Sequence, residues 1–162
     1  MAKKKVEEKN NLDSILFKCR DILRQARNSG SFFEKRDMML TLVFLRFIGE
    51  KFEDGIQKLR QELIAQGLDP DDEEIFAAFF DDATFTDGTY NLPVEARWST
   101  IINTPAPQLN VALDTALHSL ATSSKQLKGC FVEGTFTTRN LAPTDIKKIV
   151  VEVNKISHKA FV

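Results

Sequence analysis

The sequence predicts an all-α protein, a single compact domain of five or six helices around a buried central helix. Apolar residues recur at three- and four-residue spacing over most of the chain, which is the period of an amphipathic helix. The segments between these stretches carry glycine, proline and capping residues, which mark helix ends. At most a scrap of β-hairpin is expected, at residues 85–90, where Asp87-Gly88 makes either a small hairpin or a simple turn.

A long helix over residues 31–67 is the predicted centre of the fold. Its run 38–48 has only two polar residues, Thr41 and Arg46, and therefore leaves no side for solvent. A membrane span is the alternative for such a run, but it needs about 20 apolar residues, and this run is shorter. We therefore predict a core helix. Arg46 is either paired or snorkelling to an edge, and Glu50, one turn later, is the favoured partner.

Both ends of this helix carry recognisable signals. Ser31 and Glu34 have the spacing of a capping box, and Gly67 before Asp69-Pro70 indicates a C-cap and a stop. Gly49 lies inside the helix, where glycine is unfavourable, and predicts a bend or a close helix crossing.

The other helices follow from apolar spacing and from their first residues. We predict a first helix capped at Asn11, one opened by Pro70 with acids in its first turn, a short one opened by Pro93, one over 109–120 and a last one opened by Pro143.

The predicted short helix after Pro93 has four apolar residues on one side. They are Val94, Trp98, Ile101 and Ile102. This spacing favours Trp98 as a core residue over a role in stacking on a base, because aromatic residues at helical spacing usually pack inward. Cys19, on the apolar stripe of the first helix, is likewise predicted to be a small core residue.

The charges are segregated along the chain. Segments 1–36, 37–49, 50–90 and 91–162 carry net charges of +5, 0, −9 and +3, which together give the overall −1. A nucleic-acid binder would use the basic ends and keep the acidic middle away from phosphates. Solvated surface charge without a partner is the alternative. The basic residues 1–11 lack an apolar signal-peptide region and are expected to form a flexible tail.

The sequence lacks the motifs of common catalytic sites. It has no dinucleotide or P-loop glycine pattern, no G-x-S-x-G, no H-x-x-x-H and no Asn-Pro-Pro. The acids at 69–74 do not follow the spacing of a calcium loop and suit a helix N-terminus instead. Cys19 and Cys130 form neither a disulfide framework nor a metal motif, which fits a reducing cytoplasm. We expect no catalytic, cofactor-binding or metal-binding residues in this chain.

Three segments together resemble one known family. They are 42–48, Leu-Val-Phe-Leu-Arg-Phe-Ile, then 90–98, Tyr-Asn-Leu-Pro-Val-Glu-Ala-Arg-Trp, and 127–131, Leu-Lys-Gly-Cys-Phe. The Pro-x-Glu-Ala-Arg-Trp stretch after such a core helix is the specific part. On these residues, 12–162 resembles the N-terminal helical domain of the modification subunit, an adenine-N6 DNA methyltransferase, of type I restriction-modification systems.

The resemblance implies a function as a clamp and assembly domain. In that family a following domain binds S-adenosylmethionine and methylates adenine through an Asn-Pro-Pro motif. This sequence ends at Val162, before such a motif, and we therefore expect a fragment or a truncated subunit in which the methyl donor belongs to the missing domain. The implied partners are double-stranded DNA, the specificity subunit, a second modification subunit and the restriction subunit, in the cytoplasm and without a membrane.

Exposed cations in the later part of the chain are the candidates for phosphate contact. They are Lys125, Lys128, Arg139, Lys147 and Lys148. The alternative is a helical protein–protein assembly module that makes no DNA contact and docks through apolar surface around Phe79, Phe80 and Phe131.

Overall fold

Helices make up most of the computed structural model, which describes residues 2–25, 32–80, 92–123, 127–129, 131, 134–137 and 142–157. Among these residues there are six α-helices, one short 3-10 helix and no strand. The helices are α1 (Ala2–Gln25), α2 (Phe32–Ala65), α3 (Glu73–Phe80), the 3-10 helix (Val94–Ala96), α4 (Trp98–Asn103), α5 (Ala106–Ser123) and α6 (Pro143–Val153). The predicted all-α class is confirmed. The possible hairpin at 85–90 lies outside the described residues.

The first helix begins earlier than predicted. α1 starts at Ala2 and includes residues 2–11, so the predicted cap at Asn11 is wrong. The domain boundary at residue 12 stays a prediction. The physical reason is composition, because lysine and glutamate, which dominate this stretch, are good helix formers even without an apolar stripe.

α2 forms the centre of the core, as predicted. One stripe of its side chains is at most 1% exposed: Met38, Leu42, Leu45, Ile48 and Phe52. These residues recur every three or four positions and face α1, α4 and α6, against which α2 packs. Each buried leucine or phenylalanine of this kind contributes about 1.5–3 kcal/mol to the free energy of unfolding.

The apolar run of α2 is not enclosed on every side, contrary to the expectation from its composition. Leu40 is 54% exposed, and Val43, Phe44 and Phe47 are only half-buried. The reason is that the described partners of α2 cover one side of it, which leaves the opposite part of the run at the surface.

The C-terminal end of α2 has the predicted glycine cap. Gly67 has a φ of 76°, the Leu68 N–H donates to the Leu63 carbonyl at 2.8 Å, and the Gly67 N–H donates to the Ile64 carbonyl at 3.0 Å. This pair of bonds is a Schellman motif. Ser31 lies outside the described residues, and the capping box therefore stays a prediction.

The next helix begins later than predicted. Asp72, not Pro70, precedes α3, and its Oδ1 accepts the Glu74 and Ile75 N–H groups at 3.0 and 3.2 Å. Pro70 instead lies in a turn that the Asp69 carboxylate closes by accepting the Asp71 N–H at 2.9 Å. An aspartate cap satisfies two helix N–H groups, whereas proline at that position satisfies none.

The short helix predicted after Pro93 is two helices in the structure. Arg97, with ψ at 138°, interrupts the path between the 3-10 helix and α4. As a consequence Val94, predicted on the apolar side with Trp98, is 60% exposed, while Trp98 is 2% exposed. The Arg97 side chain supports the break, because its Nε donates to the Leu92 carbonyl at 3.1 Å.

α2 and α4 cross closely at Gly49, as its position in the sequence predicted. A Cβ atom at Gly49 would lie 2.6 Å from the Trp98 Cβ and 3.2 Å from the Trp98 backbone nitrogen. Because both neighbouring atoms belong to a buried residue at the start of α4, they cannot rotate away. Only glycine allows this approach of the two helices.

We predict that Gly49→Ala destabilises the fold by about 1–3 kcal/mol, the usual cost of overpacking a core. This cost exceeds the gain of at most about 1 kcal/mol that alanine brings to a helix interior. Chemical denaturation measures the difference. Gln57→Ala, at an exposed position of the same helix, is the control and should change stability by less than about 0.5 kcal/mol. A Gly49→Ala variant as stable as the parent would contradict the close crossing.

Two glutamates have pKa values shifted in opposite directions. Burial raises the pKa of Glu53 above its ordinary 4.5; Arg46 opposes the rise, and Glu50 and Asp54 add to it. Desolvation also acts on Glu152, but hydrogen bonds from Lys155 and Lys18 outweigh it and hold the pKa below 4.5. The Lys18 Nζ lies 3.3 Å from the Glu152 carboxylate and thereby joins α1 to α6.

We predict opposite effects of the same substitution at these two positions. The ionised Glu152 carboxylate stabilises the fold above the pKa that it has in the unfolded chain. This contribution is lost as the pH falls through its pKa in the folded protein. Glu152→Gln therefore lowers stability near neutral pH. Protonation of Glu53 stabilises the fold fully below its unfolded pKa, and this contribution is lost as the pH rises through the folded pKa. Glu53→Gln therefore raises stability near neutral pH. Urea unfolding at neutral and acidic pH tests both. The two effects should shrink toward zero in acid, and effects of the same sign would contradict the assignment.

Candidate nucleic-acid interface

Three of the five predicted DNA-contacting residues lie within the described part of the chain. Lys125 and Arg139 are outside it. Lys128 is exposed in the turn at 127–129, and Lys148, on α6, has a side chain that is 68% exposed and lies 3.9 Å from the Asp145 carboxylate. Both ammonium groups are therefore accessible to an anion, and their role in DNA contact stays a prediction.

Lys147 has a different environment. Its Nζ donates to the carbonyl oxygens of Ile102 and Thr104, at 2.5 and 3.0 Å. These carbonyls belong to the C-terminal end of α4, where the helix dipole is negative and a cation is favourable. Two of the three ammonium donors thus join α6 to α4, and a phosphate would have to use the third.

The turn at 134–137 is fixed to the core from one side. The Asp114 carboxylate of α5 accepts the backbone N–H groups of Phe136 and Thr137, both at 2.9 Å. Phe136 is 1% exposed and belongs to the main hydrophobic core. The sequence analysis, which predicts no helix between residue 120 and Pro143, missed this anchor. The one signal for it was an aromatic residue within a polar segment.

A cationic cleft between α1 and α2 is a second candidate, and the sequence analysis did not single it out. The cleft has a volume of about 350 Å³ and is lined by Arg20, Leu23, Arg24, Lys35, Arg36 and Met39. Arg36 lies 3.7 Å from the Asp37 carboxylate, and both groups are exposed. The signal in the sequence was the net charge of +5 over residues 1–36.

Acidic residues concentrate toward the C-terminal end of α2. Its first turns carry Lys35 and Arg36 together with Glu34 and Asp37, whereas its second half and the segment that follows carry an excess of acids: Glu50, Glu53, Asp54, Glu62, Asp69, Asp71, Asp72, Glu73 and Glu74. Arg60, which binds the Asp71 carboxylate at 2.6 Å, holds part of this acidic segment against α2. At 1.5 Å per residue, Arg36 and Arg60 are separated by about 36 Å. Hence the two charged regions lie at different ends of one helix.

The acidic residues at 69–74 have structural roles. Asp72 caps α3, Asp69 closes a turn, and Asp71 pairs with Arg60. In the described part of the chain, no group of three or more His, Cys, Asp or Glu side chains is arranged to hold a metal ion.

Two of the three phenylalanines of the predicted apolar patch have described side chains, and the patch stays a prediction. Phe131 is half-buried, with its ring centroid 5.8 Å from that of Phe44 on α2. Phe79 is also half-buried, and nothing is described for the side chain of Phe80. Leu40, one turn before Phe44 on the same face of α2, is more exposed than Phe131 and Phe79.

The residues of the Glu-Ala-Arg-Trp stretch and of the core-helix motif meet in the interior. Trp98 is buried, and its Nε1–H donates to the Asn154 Oδ1 at 2.8 Å, which confirms the prediction of a core role. Arg46 lies 3.8 Å from the Glu50 carboxylate, the predicted partner, and its Nε also donates to the Ile156 carbonyl at 2.9 Å. These motif residues therefore connect α2 and α4 to the end of α6.

The fold is that of an all-α domain organised on one long helix, with cationic and acidic regions at opposite ends of it. A family model described as the HsdM N-terminal domain matches residues 12–153. The chain belongs to this family and is the N-terminal part of a methyltransferase subunit of a type I restriction-modification system. Comparisons with curated proteins and with solved structures gave no significant match. No helix in the described part of the chain is long and apolar enough to cross a membrane.

We predict that the Asp114 anchor controls the order of the turn at 134–137. Asp114→Ala removes both acceptors and should cost about 1–3 kcal/mol, because two N–H groups lose their partner. Asp114→Asn retains one carbonyl acceptor and should cost less. Hydrogen exchange at the Phe136 and Thr137 amides is the measurement. Exchange rates that do not rise in the order parent, asparagine, alanine would contradict this role.

Proposed function

We propose that this domain acts as a DNA clamp and assembly element of the methyltransferase subunit, and that it holds the duplex by its phosphates. The observation that carries the proposal is the distance between the cleft that cations of α1 and α2 line and the acidic second half of α2. A duplex can approach the cationic end of the molecule while the acidic end, about 36 Å away along the helix, remains outside the range of strong repulsion.

The proposed contact is electrostatic and not sequence-specific. Lysine and arginine side chains that neutralise phosphates release bound counterions, and binding therefore weakens steeply with salt. Such contacts fix the position of a duplex but carry no sequence information. This division of labour fits a subunit whose sequence choice comes from a specificity subunit. Duplex DNA as the ligand also implies a cytoplasmic location.

Adenine-N6 methylation belongs, in this proposal, to a domain outside these 162 residues that binds S-adenosylmethionine. The domain described here would contribute by enclosing the duplex beside that catalytic domain. Its partners in the complex would be the specificity subunit, a second modification subunit and the restriction subunit.

A second candidate function is protein–protein assembly without DNA contact. The observation that favours it is the exposed Leu40 beside the half-buried Phe44 and Phe47 on one face of α2. Such a face can bury further apolar area against another subunit. In that case binding to a partner would be insensitive to salt, and Leu40→Glu would weaken it, because a charge cannot be buried there unpaired.

We predict that the protein, assembled with its specificity subunit, binds duplex DNA with an affinity that falls by orders of magnitude between about 50 and 200 mM salt. The slope of log K against log salt should be about −0.9 for each phosphate contacted. Lys128→Glu should weaken binding and make this slope shallower by about 1. Fluorescence anisotropy with a labelled duplex is the measurement.

Gln57→Glu is the control. It also introduces a glutamate, but on the acidic second half of α2, and should leave the affinity for duplex DNA nearly unchanged. Duplex binding that does not depend on salt would contradict the clamp. Absence of any duplex binding, with assembly retained and weakened by Leu40→Glu, would establish the second candidate instead.

A further inference from the structure

Residues 154–157 follow α6 and belong to no helix, yet side chains from much earlier in the chain hold them in place. The Asn154 Oδ1 accepts the Trp98 Nε1–H at 2.8 Å, and the Ile156 carbonyl accepts the Arg46 Nε–H at 2.9 Å. The Ile156 side chain is 2% exposed and belongs to the main core. Residues near the end of a domain are usually poorly ordered unless contacts hold them. These four residues are therefore a fixed part of the domain.

The contacts continue to Ser157. Its hydroxyl donates to the Glu50 Oε1 at 3.3 Å. The Glu50 carboxylate also lies 3.8 Å from the Arg46 guanidinium, and these two side chains are 18% and 14% exposed. One pair of charged side chains, a turn apart on α2, thus binds residue 156 through its carbonyl and residue 157 through its hydroxyl.

The pair of Arg46 and Glu50 is suited to positioning more than to stability. Two charges that leave water lose hydration, and replacing such a pair by apolar side chains is often neutral or stabilising. The packing of α6 already has an apolar basis, since Ile149 and Val153 are at most 1% exposed. Hydrogen bonds depend on direction, whereas the burial of apolar area does not. The polar contacts therefore determine where the chain runs after α6.

The contacts of residues 154–157 place this segment beside the middle of α2. Glu50 is near the centre of that helix, which has 34 residues. At 1.5 Å per residue, it is about 21 Å along the helix from Arg36, which lines the cationic cleft. The chain thus leaves α6 next to the helix that carries the cationic and acidic regions. A change in the direction of this segment would change the orientation of α2 relative to whatever follows it.

We propose that residues 154–157 are a fixed exit point, by which this domain keeps α2 in one orientation relative to the catalytic domain of the same subunit. The proposal rests on the proposed function in one respect, namely that a catalytic domain follows this one. Two domains of one chain usually move relative to each other unless contacts restrain them. A fixed exit point reduces the freedom of the connection and thereby keeps the domain in position around the duplex.

The test removes the contacts of residues 156 and 157 without leaving a charge alone in a half-buried place. Arg46→Met combined with Glu50→Gln takes away the cation and the anion together, and neither remains there unpaired. Lys58→Met combined with Glu62→Gln is the matched control. It makes the same two changes at the same spacing, on exposed positions of the same helix.

Two further variants separate the order of the exit point from the stability of the fold. Ser157→Ala removes only the hydroxyl that binds Glu50, and it should fold like the parent. Leu109→Ala removes a fully buried side chain of α5 and lowers stability through the cavity that it leaves. It should leave the contacts of residues 154–157 intact.

Small-angle X-ray scattering of the full-length subunit, without DNA, is the first measurement. In the Arg46→Met/Glu50→Gln variant we expect a larger maximum dimension and a broader distribution of interatomic distances than in the parent, because α2 and the catalytic domain no longer keep one orientation. Ser157→Ala should give a smaller change of the same sign. Lys58→Met/Glu62→Gln and Leu109→Ala should scatter like the parent.

Methylation of a duplex by the subunit, assembled with its specificity subunit, is the second measurement. We expect kcat of the Arg46→Met/Glu50→Gln variant to fall on the order of 10- to 100-fold, since small misplacements far from the chemistry have effects of this size. Its affinity for S-adenosylmethionine should change by less than about twofold, because misplacement of a domain affects orientation and not the methyl-donor site itself.

The outcomes separate this inference from the clamp function. Scattering of the Arg46→Met/Glu50→Gln variant that equals that of the parent, or a change that Leu109→Ala reproduces, would overturn the exit point and leave the clamp in place. If the double variant does not fold, unchanged scattering of Ser157→Ala would overturn the exit point instead. A parent subunit that binds no duplex or does not methylate it would overturn the proposed function, whereas the scattering, which needs no DNA, still decides whether the exit point is fixed.

Discussion

At Gly49 the backbone of α2 lies directly against the first residue of α4, since a Cβ there would come within 2.6 Å of the Trp98 Cβ. This approach places the Trp98 indole where its N–H reaches Asn154, just after α6. Arg46, one turn before Gly49, reaches the Ile156 carbonyl in the same region. A single residue without a side chain thus allows α2, α4 and the end of α6 to share one buried junction, and wider spacing would leave buried polar groups without partners.

The same junction determines which surfaces of the domain are available. With α1, α4 and α6 packed on one side of α2, the opposite side keeps Leu40 at the surface. The packing of α1 beside the start of α2 brings cations of both helices to one cleft. The acidic second half of α2 extends beyond Phe52, its last residue in the main core, toward the segment that Arg60 holds through Asp71. Cationic and acidic surfaces are therefore separated by the length of one helix, and this separation underlies the proposed clamp.

The predicted and observed candidate sites differ for reasons that can be stated. Lys147 was predicted as an exposed cation of the later part of the chain, but its ammonium group reaches the carbonyls at the end of α4, which are 43 to 45 residues away in sequence. Arg20 and Arg24 entered the sequence analysis only through the net charge of residues 1–36. Their meeting with Lys35 and Arg36 depends on how α1 lies against α2, and no local pattern specifies that. Phe136 was missed because its burial depends on the Asp114 carboxylate 22 residues earlier.

The sequence by itself determined the helices and their buried sides, because these depend on the period of apolar residues and on caps that lie within a few residues, such as Gly67 after α2. It also determined the family, through motifs whose residues prove to be packing residues, Trp98 among them. The tertiary structure alone decided which cations share a cleft, which apolar residues stay exposed and where the helix after Pro93 breaks. These features arise from contacts between residues far apart in the chain, whose energies depend on a geometry that no single segment contains.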